Sequence, residues 1–553
     1  MNDTTDPGQP AGVPASPGRA GAGPLSSAQL VAAGIMLSRI AGLIRDIVFA
    51  NYLGTSQYAS AFRAALRMPN VLQNLLGEGT LSASFIPVYA RLLEKGDHDA
   101  AGRLAGAIFA LLVAVAGGLA LFGVVMAPVL VSVFLPGFTD EQREITILLT
   151  RIIFPMTGLL VLSAWALGIL NSHRRFFVSY TAPVLWNAAM IAVLVMFGAR
   201  LDQRGLVIAL AWGALLGGAL QFLVQIPWIL RLERNLRLNR DLRAEGAATV
   251  IRNAGPAIMG RGVVQLSGWI DLVLASFLFE GAVAAMGYAQ TFYMLPVSLF
   301  GMSIAASELP ELSRAGGGEA EPLRRRVEAG LRHMAVFVVP SAIGYLLLGD
   351  VIVGAMYERG DFGRSDTLLV HLILGGYAIG LLASTASRLY SSAFFALHDT
   401  RTPARIAITR VAASAVLGAT FMMALEPFDV FGVTVGFGDT VLVAGNPIGT
   451  AGLAAGTGLA AWLEWTLLRR ALGRRIGDAS AGAVLLRLIA AALFAAVAAR
   501  GLLVMLPPMH RLLAALVALT PFGILYFALA TAFGVEEVRG ALSRFAARVR
   551  RRT

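Results

Sequence analysis

The sequence predicts an all-α polytopic membrane protein, with about 14 transmembrane helices in two pseudo-repeated six-helix lobes plus two C-terminal helices. Three observations predict it. The chain has 553 residues, 57% of them hydrophobic and only 14% charged, against about 25% charged in an ordinary soluble chain; its mean hydropathy is +0.71. Apolar runs of about 20 residues, each long enough to cross a bilayer, recur from end to end. Arginines gather in the short segments between those runs, on alternate loops.

Residues 1–27 are rich in Pro, Gly and Ala and lack an apolar signal-peptide core, which reads as a disordered cytoplasmic tail. Apolar segments follow near 28–53, 58–90, 104–134, 145–170, 177–199 and 205–230, forming a first lobe over 28–230. A basic cytoplasmic linker spans 231–249. Segments near 250–279, 283–312, 331–356, 367–396, 404–425 and 447–468 form a second lobe over 250–468. Two more, 481–504 and 511–534, complete the spans over 481–534, and a basic cytoplasmic tail fills 535–553.

Charge orients the spans. Positive residues concentrate on cytoplasmic loops, and those after spans 2, 4, 6, 8, 10 and 12 carry them: Arg91 and Lys95, Arg174 and Arg175, Arg231 to Arg243, Arg324 to Arg326, Arg401, and Arg469 to Arg475. The loop after span 11 carries Glu426, Asp429 and Asp439 with no Lys or Arg, and the loop after span 5, with Arg200 and Arg204, is an exception. Both termini are therefore expected in the cytoplasm. The net charge of +12 is explained by topology, so no nucleic-acid partner is expected. With Lys95 the only lysine there is no nucleotide-binding P-loop. With no cysteine and six scattered histidines, no metal site is expected.

The halves resemble each other. Asp46–Leu53 (DIVFANYL) matches Asp271–Leu278 (DLVLASFL), Met68-Pro69 parallels Leu295-Pro296, and Thr181-Ala182-Pro183 parallels Arg401-Thr402-Pro403. The matches keep their order at nearly constant spacing. Six spans separate equivalent positions, so both copies run in the same direction. Transporters built from parallel repeats hold substrate between the lobes and rock one against the other.

Charge inside the spans marks the candidate site. A charged group at mid-bilayer costs roughly 2.5–3.5 kcal/mol on insertion scales, so it faces a partner or a wet cavity. In span 1, Ser38, Arg39, Arg45 and Asp46 fall on one stripe of about 120° around Gly42. Span 2 adds Arg63, Arg67, Asn70 and Glu78, with Pro69, Gly77 and Gly79 able to break the helix. One reading is a cationic cavity for an anionic headgroup, since the arginine fork bonds two phosphate oxygens at once. The other is that Arg45–Asp46 and Arg67–Glu78 pair and hold helices together. The cavity reading suits Arg39 and Arg45; a structural or gating role suits Asp46 and Glu78. In span 7, Asp271 is a candidate for a coupling ion, with Arg261 as the alternative partner. His371 and Glu464 read as structural.

Three of these blocks, Ser38–Asp46 (SRIAGLIRD), Arg67–Asn70 (RMPN) and Gly77–Pro87 (GEGTLSASFIP), resemble the N-terminal signature of the MurJ (MviN) family of lipid II flippases. The resemblance continues at Tyr288-Ala289, at Tyr357–Phe362 (YERGDF) and at Phe394–Pro403 (FFALHDTRTP). It implies a fourteen-helix member of the multidrug/oligosaccharidyl-lipid/polysaccharide exporter superfamily in the bacterial cytoplasmic membrane. Such a protein is a transporter and not an enzyme, and moves an undecaprenyl-diphosphate-linked glycolipid between leaflets by alternating access. The resemblance further implies that the arginines of span 1 are essential and that spans 13 and 14 form a groove for the lipid tail. It implies no cofactor beyond a monovalent cation or proton for coupling, and a chain working as a monomer among membrane lipids. The family carries an acidic residue where Ser60 stands, a basic one where Gln73 stands, and charge where Gln290 and Thr291 stand, so this chain has lost second-lobe charge. A flippase for another polyprenyl-diphosphate glycan and a cation-coupled exporter of the same superfamily are the alternatives.

Overall fold

A computed structural model describes residues 27–233, 235–236, 245–302, 320–430 and 433–540. Most of both terminal tails, the arginines of the linker from Arg234 to Arg243, and the side chains of Glu78 and Arg261 lie outside the described residues.

Each apolar segment read from the sequence carries a helix. The first bundle holds α1 (Ser27–Leu53), α2 (Gln57–Leu76), two short helices α3 (Glu78–Ser84) and α4 (Ile86–Glu94), α5 (His98–Phe134), α6 (Asp140–Ser172), α7 (Phe176–Phe197), α8 (Gln203–Leu223) and α9 (Ile226–Leu232). The second holds α10 (Ala247–Ser276), α11 (Ala282–Pro296), continued by a π-helical segment Val297–Met302, then α12 (Ala320–Tyr357), α13 (Arg364–Ile379), α14 (Leu381–Ala396), α15 (Arg401–Leu425) and α16 (Gly449–Ile476). Helices α17 (Gly482–Met505) and α18 (Arg511–Ala532) complete the series. By length and composition, nine helical stretches among the described residues suit a membrane crossing: α5, α6, α7, α8 with α9, α12, α13 with α14, α15, α17 and α18. The other long helices are α1, α2, α10, α11 and α16; of these α1, α2 and α11 supply polar groups that meet between the bundles.

Local chemistry sets the boundaries. Ser56, Asp97, Thr139 and Asp202 cap α2, α5, α6 and α8, each side chain accepting a backbone N–H of the first turn. The segment expected as one span over 58–90 is divided: α2 ends at Gly77 and the chain restarts as α3 and α4. Pro296 ends α11, and the backbone widens into the π-helical segment behind it. Between α15 and α16 the chain forms two small hairpins, Phe428–Val430 with Val433–Val435 and Leu442–Val443 with Asn446–Pro447, which hydropathy does not foretell.

Packing repeats as the sequence does. In the first bundle α1 packs on α7, α2 on α6, α5 on α6, and α8 on both α6 and α7; in the second, α10 packs on α15, α11 on α13, α12 on α13, and α16 on both α13 and α15. Helices α17 and α18 stand outside both bundles against α12, through a core that includes Val336, Val339, Ala492 and Tyr526. The bundles meet where α2 faces α11 and where α3 faces α10.

Candidate functional site

At the end of the molecule where α1 turns into α2, the two bundles are sealed together. Phe49 and Phe62 from the first pack with Tyr288, Phe292, Tyr357 and Phe362 from the second, with successive ring centroids 4.9–6.3 Å apart. Above this plug hydrogen bonds join the bundles, some through main-chain groups and some between side chains. The Tyr288 hydroxyl donates to Gly54 O (2.8 Å), Asp361 N to Asn51 O (2.9 Å) and Ala284 N to Ser60 Oγ (3.1 Å). Gln203 Nε2 donates to Asp361 Oδ2 (2.9 Å) and Thr55 Oγ1 to Asp366 Oδ1 (2.5 Å). Gly360 sits at φ +57°, in the left-handed region that favours glycine, and a side chain there would overlap Asn51 O.

Beneath the plug lies a cavity of about 440 Å³, walled by Arg63, Arg67 and Asn70 of α2 and by Asp271, Gln290 and Thr291 of the second bundle. Arg63 is held under the aromatic rings, its Cζ 4.2 Å from the Tyr288 centroid and 5.1 Å from that of Phe49. Its Nε and Nη2 are buried without a hydrogen-bond partner. Such orphan donors are rare in folded proteins. Both arginines cross to glycines of the other bundle. A Cβ on Gly287 would stand 2.7 Å from Arg63 Nη1, and one on Gly268 would overlap Arg67 Nη2.

The α1 stripe divides between two neighbours. Asp46, 7% exposed, accepts from Arg45 Nη2 (2.9 Å) through Oδ1 and from the Thr291 hydroxyl (3.1 Å) through Oδ2. Arg39 Nη1 donates to Ser298 Oγ (2.7 Å), likewise in the second bundle. On the other edge of the stripe, Arg45 lies 5.1 Å over the Trp186 ring of α7, and Ser38 lines a separate first-bundle pocket. The Arg45–Asp46 pair therefore forms as the structural reading allows, while Arg63 and Arg67 stand on the cavity wall and Arg39 and Arg45 do not.

Asp271 is buried, with Arg67 and then Arg410 as the cations whose fields reach it. Arg410 itself holds Glu464 at 3.1 Å, and His371 lies 3.9 Å from Asp350. Gln290 and Thr291, where charge is missing, are wall residues that bond to the Tyr377 hydroxyl (3.1 Å) and to Asp46. Ser60, in the place of an expected acid, is fully buried and accepts the inter-bundle bond from Ala284. Among the described residues no group of three His, Asp or Glu side chains is placed to hold a metal.

The second pocket, about 350 Å³, lies inside the first bundle and shares Asn70 and Asn74 with the first. Its polar wall is Gln73, Ser163, Ser179, Asn187 and Gln221, with Trp186 beside them. A reading of charges alone passes these residues over. The available signal is uncharged: amides such as Asn187 and Gln221 inside apolar spans also need partners.

Known proteins resemble this chain over most of its length. A family profile described as "Lipid II flippase MurJ" matches residues 49–520. A lipid II flippase MurJ of Burkholderia cenocepacia is 32% identical over 380 residues, 68% of this chain and 73% of the relative. A probable lipid II flippase MurJ of Bdellovibrio bacteriovorus is 32% identical over 428 residues, covering 76% and 81%. Among solved structures, a lipid II flippase MurJ in an inward closed conformation superposes with a TM-score of 0.73 at 21% identity, covering 91% of this chain and 98% of that one. An inward-facing multidrug transporter of the MATE family reaches 0.63 at 16% identity, covering 81% and 97%. At these identities the structural likeness establishes the shared fold.

Proposed function

This chain belongs to the MurJ family of lipid II flippases, and from that premise we propose that it carries lipid II across the cytoplasmic membrane by alternating access, with the diphosphate held in the cavity between the bundles. One observation carries the reading. Arg63 and Arg67 stand one turn apart on a wall shared by both bundles, and the Nε and Nη2 nitrogens of Arg63 are buried without a hydrogen-bond partner. A diphosphate oxygen supplies an acceptor, and guanidinium matches it in shape and charge. Arg39 and Arg45 add to the positive field from α1. The sealed α1–α2 end is the outer gate, and the headgroup enters from the opposite, cytoplasmic side. The undecaprenyl tail lies along α17 and α18, whose outward faces expose Leu486, Phe494, Leu516 and Ile524. Both termini are cytoplasmic, and one chain suffices.

A hydrogen bond to a charged group is worth about 1.5–3 kcal/mol net, so losing one such arginine weakens headgroup binding at least about tenfold. In cells depleted of their own lipid II flippase, Arg67→Ala should lose flipping at normal abundance, and Arg63→Ala/Arg67→Ala should not support growth. Growth of the double variant at wild-type rate would place the headgroup elsewhere. Asp271 is the proposed coupling group, for a proton or a monovalent cation. Asp271→Asn should then flatten the pH or ion dependence of flipping; an unchanged dependence with reduced abundance would assign it to structure.

A further inference from the structure

The pocket inside the first bundle differs in chemistry from the cavity it adjoins. Among the described residues no ionisable side chain lines it. Its polar groups are already arranged relative to one another. Gln221 Nε2 and Gln225 Nε2 both donate to Ser163 Oγ, at 3.1 and 2.6 Å. The Gln221 carboxamide thus has one N–H committed and its carbonyl available, and Ser163, accepting twice, keeps its own proton to donate. Asn187 Nδ2 donates to Pro183 O (3.0 Å), which leaves Oδ1 as acceptor. That oxygen is buried without a partner, on a side chain only 4% exposed. Trp186, its indole N–H already donated to Ala214 O (3.1 Å), presents carbon to the same space.

A neutral pocket of paired amides and hydroxyls beside an aromatic edge matches a ligand that is uncharged, rich in O–H and N–H, and partly apolar. An N-acylated sugar ring has that character; a phosphate or a carboxylate-bearing peptide does not. Position supports the same occupant. Asn70 and Asn74, one turn apart on α2, line both spaces, so a ligand with its diphosphate against Arg63 and Arg67 reaches the neutral pocket with the very next group along. The volume of about 350 Å³ lies at the small end of ligand pockets and suits a single ring.

We infer that this first-bundle pocket is a sugar subsite, which takes the diphosphate-proximal N-acylated sugar of the lipid-linked substrate. Asn187 Oδ1 and the Gln221 carbonyl accept its N–H or O–H donors, and Ser163 donates to one of its oxygens. The inference rests on the flippase reading given above, and the test separates the two.

Binding of three lipids to the purified full chain in detergent should be measured: undecaprenyl diphosphate, the same lipid bearing its disaccharide, and the disaccharide lipid bearing the peptide. The wild type should bind the disaccharide lipid at least about tenfold more tightly than the bare diphosphate lipid, with little further gain from the peptide. Asn187→Leu and Gln221→Leu should each remove most of that gain and leave binding of undecaprenyl diphosphate unchanged, which also shows that the variants are folded. Equal affinity for bare and glycosylated lipid in the wild type, or a gain that appears only with the peptide, would overturn the sugar subsite. Failure to bind any of the three would instead overturn the flippase reading beneath it.

Discussion

At the scale of the residue, charge is legible in the sequence and its exact use is not. The polar stripe of α1 is real, but Ser38 and Arg45 face α7 while Arg39 and Asp46 face the second bundle. A helix wheel gives the angle of each side chain and not the identity of its neighbour. Arg63 shows the same gap: its spacing from Arg67 is visible, whereas the Tyr288 ring that covers it comes from more than 200 positions later. Glu426 belongs, by sequence, with several acids on an outer loop. It is instead buried, with Oε1 accepting from Phe279 N (2.9 Å) and Oε2 from Gly449 N (3.1 Å), tying the α10–α11 turn to the start of α16. Burial pushes its carboxyl above the usual range, although the two N–H groups pull the other way. A raised carboxyl contributes stability that is full below the unfolded-state pKa and is lost as pH rises through the folded-state value. Thermal unfolding in detergent should show that loss above about pH 4.5, and Glu426→Ala should abolish it. The variant should also be less stable throughout, by about 1–3 kcal/mol, because two buried N–H groups lose their acceptor. An unaltered pH profile in Glu426→Ala would assign the dependence to another group.

At the scale of the element, hydropathy locates every long helix, and its errors have simple causes. It runs the second span on to residue 90 because α3 and α4 are also apolar on one face, burying Leu81, Phe85, Tyr89 and Leu92 in the first-bundle core. Composition alone allows the break at Gly77 without requiring it. The two hairpins after α15 are too short to leave a periodic signal. Less visible still is the pairing of each α2 arginine with a glycine of the facing bundle. The space over Gly287 is occupied by the Arg63 side chain, whose Nη1 and Cδ would lie 2.7 and 2.8 Å from a Cβ at that position. Gly287→Val should therefore displace Arg63 and reduce flipping about as strongly as Arg63→Ala does, with normal membrane abundance. If Gly287→Val flips at the wild-type rate, the placement of Arg63 is not what transport requires.

At the scale of the whole molecule, the repeat in the sequence corresponds to a repeat in packing: the principal helix pairs of the first bundle have counterparts in the second. What the sequence cannot reveal is which end is shut, because one sequence serves every state of an alternating cycle and the difference between states is a matter of a few contacts. Here the end where α1 turns into α2 is shut by Thr55–Asp366, Asn51–Asp361 and the aromatic plug. The chain has no cysteine, so a Thr55→Cys/Asp366→Cys pair would oxidise without competitors. Oxidation should stop flipping and reduction should restore it, while lipid binding at the opposite end persists in both forms. Flipping that continues in the fully oxidised protein would mean that this end need not open. The composition of that closure has a further consequence. Part of it rests on peptide groups: Asn51 O accepts from the Asp361 amide, Gly54 O from the Tyr288 hydroxyl, and the Ala284 amide donates to Ser60. Every amino acid supplies the same backbone carbonyl, so mutation has little purchase on it. A compound seated on those carbonyls at the closed end would hold the molecule shut through contacts that mutation cannot readily edit away.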